Sequence, residues 1–237
     1  MTLSKKYDYN FNDYIYNNIN NLLQNEKINM ANNLTENKIM DVLNWSYDKA
    51  VKGVPGLDSA YDLAADYMKS NDSLYSQANS LIRWQNTKAG ASGFLTGLGG
   101  IITLPIAIPA NVASVIYVQI RMIAALAHMG GHNLNDDKVK SLVFLCLTGN
   151  AAKDILKDVG IVVGKKLAEN AIKNISGKTI TTINQKVGFR LLTKFGEKGV
   201  VNLGKTIPLF GGIVGATFDS VSTNTVGNIA RDTFISK

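Results

Sequence analysis

Ala89-Gly90-Ala91-Ser92-Gly93-Phe94-Leu95-Thr96-Gly97-Leu98-Gly99-Gly100 opens a run of thirty-two residues, Ala89 to Ile120, that carries no formal charge. Ala89, Gly93 and Gly97 fall four apart, so one face of a helix would be stripped of side chains and a second backbone could approach it closely. Pro105 and Pro109 each lack an N–H and disfavour helical geometry in the residue before them, which marks a bend. The stretch therefore reads as a glycine-rich helical hairpin at the centre of the chain, with Gly93, Gly97, Gly99, Gly100, Pro105 and Pro109 as packing residues rather than chemical ones. Its first arm, Ala89 to Leu104, has sixteen residues. At about 1.5 Å per residue it reaches about 24 Å, short of the roughly 30 Å hydrocarbon core of a bilayer. The second arm, Pro109 to Ala127, is longer but contains Asn111, Gln119 and Arg121. A hairpin buried in a soluble core is the first expectation, ahead of re-entrant or inducible membrane insertion and of a constitutive span.

Working outward, helical periodicity recurs in nearly every segment, and only short runs such as Lys178 to Ile183 and Val200 to Leu203 are ambiguous with strand. The pattern predicts an all-α, single multi-helix domain over residues 35–237, preceded by a polar, Asn-rich, partly helical segment over 1–34. Asn33, with Glu36 three residues later, signals a helix start. Ile39, Val42, Leu43, Tyr47, Ala50 and Val51 then trace one apolar stripe ending at Gly53. A second helix is expected from Asp58 or Ser59, and a third from Ser73 towards the glycine stretch. After the Gly130-Gly131 break, Asn135 or Asp136 would cap a helix to Thr148, and Ala151 to Asn174 reads as one more. A helix from about Thr181 to Gly196 places Lys186, Arg190, Lys194 and Lys198 four apart beside Val187, Leu191 and Phe195. Pro208 to Gly215 opens a last helix in which Gly211 and Gly215 repeat the small-every-four spacing, as Gly160 and Gly164 do earlier.

At 237 residues and 46% hydrophobic the chain is long enough for a sizeable core. Its net charge of +7 is unevenly spread, for residues 138–205 hold thirteen basic and four acidic groups, a local excess of nine. Eight of the nine tyrosines lie at or before Tyr75, so stacking platforms for nucleic acid are missing where the positive charge sits. Nucleic acid is not an expected partner. One cysteine, Cys146, lies in an apolar run and fits a buried thiol in a reducing compartment. No apolar signal segment opens the sequence, and a cytoplasmic location is expected.

Candidate chemistry is sparse. His128 and His132 are four apart, yet Gly130 and Gly131 between them end the helix that would bring both to one metal; two separate surface or loop histidines are expected. Gly97 to Gly100 lacks the spacing and preceding strand of a phosphate loop. There is no GxSxG or HExxH, so neither catalytic residues nor a cofactor or metal are assigned. Asp154 and Asp158 beside Lys153 and Lys157 read as a solvated face. Arg121 lies in an apolar helix where a charge needs a partner, with Asp219, Asp58 and Asp62 as candidates.

The run Gly93 to Gly100 followed by Thr103-Leu104-Pro105 and Pro109-Ala110 resembles the central signature of the bacterial EcsC family. Arg121 with Ile123 to Gly130, and Ile207 to Gly212 with Ile229-Ala230 and Phe234, are similar to two further elements of that family, and the likeness runs from about Asn44 to the end. The resemblance implies a largely helical protein, named after a gene neighbouring an ABC transporter, with no assigned activity; it implies membrane association and transfers no functional residue. The expected function is accordingly non-enzymatic, an accessory or regulatory role at the inner membrane surface or on a transporter component. In it Lys186, Arg190, Lys194 and Lys198 meet anionic headgroups, while Val187, Leu191 and Phe195 contact either the acyl boundary or the domain core. The rival is a pore-forming effector that inserts residues 89–127; a hydrolase with an unrecognised site and a scaffold without lipids are further alternatives.

Overall fold

Helix α4 (Ala110–Met129) is apolar on every side, and every residue from 116 to 127 is buried. A helix with no polar face must be wrapped by others. The computed structural model describes residues 35–89, 110–161, 172–195 and 213–235, with side chains over 35–85, 113–161, 172–195 and 222–235. Around α4 these residues form α1 (Glu36–Lys52), α2 (Ala60–Met68), α3 (Leu74–Ala89), α5 (Asp137–Cys146), α6 (Ala151–Asp158), α7 (Gly177–Phe195) and α8 (Ile213–Phe234). Helices α1, α2, α3, α5 and α8 all lie against α4, while α7 lies on α1 and α5 and carries α6 at its side. Among the described residues there is no strand, only an isolated bridge between Val54 and Leu57, so the protein is all-α.

Local chemistry explains where the helices begin. The Thr35 hydroxyl accepts the Lys38 N–H at 3.3 Å, which starts α1 two residues after the Asn33 expected from sequence. Ser59 and Asp62 form a reciprocal capping box for α2, each side chain accepting the other's backbone N–H at 3.1 Å. Asp136 caps α5 by accepting the Lys138 N–H at 2.8 Å. Ser176 caps α7 by accepting the Thr179 N–H at 3.1 Å, and the helix begins at Gly177, four residues before the expected start at Thr181. The ambiguous run Lys178 to Ile183 is helical.

Glycines end several of them. After α4 the His132 N–H reaches the Ala127 carbonyl at 3.1 Å and the Gly131 N–H the His128 carbonyl at 2.9 Å, with Gly131 at φ +84°. The same pair of bonds closes α6, where Ile161 donates to Leu156 at 2.9 Å and Gly160, at φ +75°, to Lys157 at 3.0 Å. The continuous helix expected from Ala151 to Asn174 therefore stops at Asp158. Gly160 is a helix terminator rather than part of a small-residue stripe, because its backbone adopts a conformation that L side chains resist. Helix α5 likewise ends at Cys146 instead of Thr148.

The apolar stripe of α1 is buried as its spacing predicts: Ile39, Val42, Leu43, Tyr47 and Ala50 lie in the core, while Val51 is half-buried against it. Tyr47 crosses to the loop before α5, donating its hydroxyl to the Leu134 carbonyl at 2.7 Å, and burial pushes its pKa above the ordinary phenol value. Helix α8 is fastened to α3 by Arg231, which lies 4.5 Å over the Tyr75 ring. The second arm of the hairpin expected from sequence is thus a core helix. Its first arm lies beyond Ala89 and outside the described residues, as do Gly93, Gly97, Gly99, Gly100, Pro105, Pro109, Gly164, Gly211 and Val200 to Leu203. Gly215 falls within the α8 backbone.

Candidate functional site

With about 100° per residue, positions 183, 187 and 191 share one side of α7 and position 189 stands opposite. Ile183, Val187 and Leu191 are fully buried between α1 and α5, and Gly188 brings α7 close to Met40 and Glu36 of α1. Of the two roles left open for Val187 and Leu191, the structure selects the core, so neither contributes to an outer surface; Phe195 is half-buried and packs against the same core. The outward side shows Gln185, Phe189, Arg190 and Thr193. Phe189 is 60% exposed, more than any other large apolar residue among those described.

The basic row divides three ways. Lys186 bridges to Asp158 of α6 at 2.7 Å across partly solvated side chains, an ion pair worth at most about 1 kcal/mol. Lys194 points to α8, where its ammonium donates to the Ser222 hydroxyl at 3.1 Å and lies 5.2 Å over the Phe195 ring. Arg190 is exposed between them, and Lys198 falls outside the described residues. Asp154 and Asp158 are solvated, as expected, but Asp158 pairs with Lys186 rather than with its neighbour Lys157.

Two depressions meet at Arg190. A groove of about 420 Å³ runs between α6 and α7 and is lined by Glu36, Asp154, Asp158, Gln185, Lys186, Phe189 and Arg190 among others. A smaller one of about 250 Å³ is lined by Thr148, Arg190, Leu191, Thr193 and Lys194. Arg190 thus has carboxylates on one side and a second cation on the other. Thr148, Glu36 and Ser222 were invisible to periodicity because they come from other elements, whereas Phe189 was legible as the residue opposite Val187 and Leu191 on the helical wheel.

The remaining sequence candidates are structural in their placement. Arg121 is 3% exposed and donates from Nη1 to the Asp58 backbone carbonyl at 3.1 Å, which pins the loop between α1 and α2 to the central helix. Its partner is therefore that carbonyl and not the Asp62 carboxylate, which is occupied by Ser59; the Asp219 side chain lies outside the description. Burial lowers the Arg121 pKa, and it raises that of Tyr117 one turn earlier, each partly offset by the charge of the other. The two histidines are held apart. His128 packs edge-on against Tyr61 at 4.8 Å, and His132, contrary to the surface position expected, is buried with Nε2 3.3 Å from the Phe234 carbonyl. Among the described residues no group of His, Cys, Asp and Glu could hold a metal. Cys146 is buried and its thiol is pushed up to about 12 by desolvation. Among the described residues no helix is long and apolar enough to cross a membrane.

A model of the EcsC protein family matches residues 2–235, extending the likeness through the Asn-rich segment. No curated protein and no solved structure matches the chain.

Proposed function

We propose that this chain, which belongs to the EcsC protein family, is a non-enzymatic cytoplasmic protein that attaches peripherally to an anionic membrane surface, in an accessory or regulatory role towards a membrane component such as a transporter. The observation that carries this reading is the outward side of α7, where an exposed Phe189 stands beside an exposed Arg190 on a helix locked to the core by its other face. An aromatic ring at the headgroup boundary and a cation facing anionic lipid act in the same direction, each basic residue near such a surface adding about 1 kcal/mol. Lys153, Lys157, Lys173 and Lys178 are also exposed in this basic half of the chain. The Lys186–Asp158 pair tempers the field, so the attachment is weak and reversible.

Pore formation by insertion of residues 89–127 is the weaker reading. Withdrawing α4 would uncover the faces of α1, α2, α3, α5 and α8 that pack on it. Large apolar side chains of those helices, such as Leu43, Leu81 and Phe144, each lose about 1.5–3 kcal/mol on exposure to water, against a net stability of about 5–15 kcal/mol for a whole domain. Co-sedimentation of the full chain with vesicles tests the first reading. Binding is expected to anionic but not neutral vesicles, to weaken with added salt, and to fall roughly five- to thirtyfold in R190E and further in F189S. Equal binding to neutral vesicles, or none to either, overturns it.

A further inference from the structure

The smaller cavity beside Arg190 has a lining whose polar members are not equivalent. Thr148 already donates its hydroxyl to the Leu145 carbonyl at 2.7 Å, and Thr193 donates to the Phe189 carbonyl at 3.0 Å. The charged donors are therefore Arg190 and Lys194, with Leu191 as an apolar wall. Lys194 is held in place: Ser222 accepts its proton at 3.1 Å, and the same hydroxyl is approached at 3.5 Å by the amide of Gln119, a residue 1% exposed in the core. Gln119 is itself tied to Thr223 at 3.2 Å, so the ammonium rests on a seam anchored in α4 and α8. A planar guanidinium fork and a positioned point charge whose residues both line one small space match a tetrahedral oxyanion with several oxygens better than a single carboxylate. At about 250 Å³ the space is below the usual range for whole small-molecule ligands, about 300–1,000 Å³, and suits a headgroup-sized ligand.

We infer that Arg190 and Lys194 form a phosphate-binding site between α7 and the end of α5, whose ligand is a phosphomonoester group, carried either by a lipid headgroup or by a small soluble molecule. In its lipid form the site rests on the membrane reading of α7 and supplies that reading with headgroup preference. Asp154 and Asp158 across Arg190 act against the anion, and the Lys186 bridge to Asp158 reduces that opposition.

The test uses the full chain, with R190Q and K194Q, against vesicles containing phosphatidic acid and vesicles containing phosphatidylglycerol at matched surface potential, and separately a titration with inorganic phosphate against chloride at equal ionic strength. Phosphatidic acid is expected to retain the protein about tenfold better, and both variants are expected to lose that margin while keeping weak charge-driven binding. Should K194Q melt early because its tie to α8 is gone, R190Q, altered at an exposed side chain, decides alone. A response to inorganic phosphate that R190Q abolishes, without vesicle binding, keeps the site for a soluble ligand and removes the membrane reading. Equal binding to the two lipids with no phosphate response, unchanged in R190Q, overturns the site and leaves the membrane reading standing. No binding to either vesicle and no phosphate response overturns both.

Discussion

At Gly130 the end of α8 comes so close that an added methyl group would collide with the Phe234 carbonyl oxygen, which is backbone and cannot swing aside. G130A is therefore expected to lose about 1–3 kcal/mol in urea unfolding, the range for overpacking a tight contact. Gly188, buried and in mid-helix, differs: a methyl there would meet Met40 at an ordinary 3.6 Å. G188A is expected to be neutral or to gain up to about 1 kcal/mol from helix propensity. The opposite signs separate a glycine that admits a backbone from one that only leaves a space. Sequence reads Gly130 as part of a helix break and Gly188 as a position within a helix, yet it cannot say which of them has a backbone against it, because the neighbour that decides the matter lies far along the chain.

Helices carry their boundary signals locally, and some of those signals are legible in the sequence. Asp58 or Ser59 could be read as a start, and the structure selects Ser59, which closes a capping box with Asp62. Hydrogen bonds from the Ser59 side chain and backbone hold the Asp62 carboxyl below its ordinary value. For a group depressed in the folded state, the stabilisation is present above its unfolded pKa and is lost as pH falls through the folded one. S59A is expected to cost about 1 kcal/mol at neutral pH, and the difference between wild type and D62N is expected to shrink below about pH 4; denaturant melts across that range check both. The stop after α6 was misread because Gly160 followed by Gly164 imitates a packing stripe. A terminating glycine and a stripe glycine are the same residue type; only the positive φ and the Ile161 to Leu156 bond tell which is present. Amphipathic α7 was legible in kind, yet the pattern could not say whether its apolar side met lipid or protein, because burial of that side satisfies either.

For the molecule as a whole, α4 is the hub, and Cys146 at the end of α5 reports on its integrity. The thiol is fully enclosed, pushed up to about 12, and lies 3.9 Å from the Thr233 hydroxyl of α8. A thiol reagent is expected to label it only as fast as the domain opens, with no fast phase in native buffer and complete reaction in denaturant. A fast native phase would show that α5 and α8 separate locally. The amino-acid sequence by itself determined the all-α class and the buried stripe of α1, because each rests on spacing within a few turns of one helix, and it carried the kinship with the EcsC family in glycine and proline spacings spread along the chain. Only the tertiary structure decided that the helix from Ala110 is the core, that Arg121 serves a backbone carbonyl, and that the basic row of α7 splits into a bridged lysine, an exposed arginine and a lysine tied to α8. Those outcomes depend on which distant residues arrive beside each side chain, and the free energy of a charge or a ring is set by that company rather than by its neighbours in the chain.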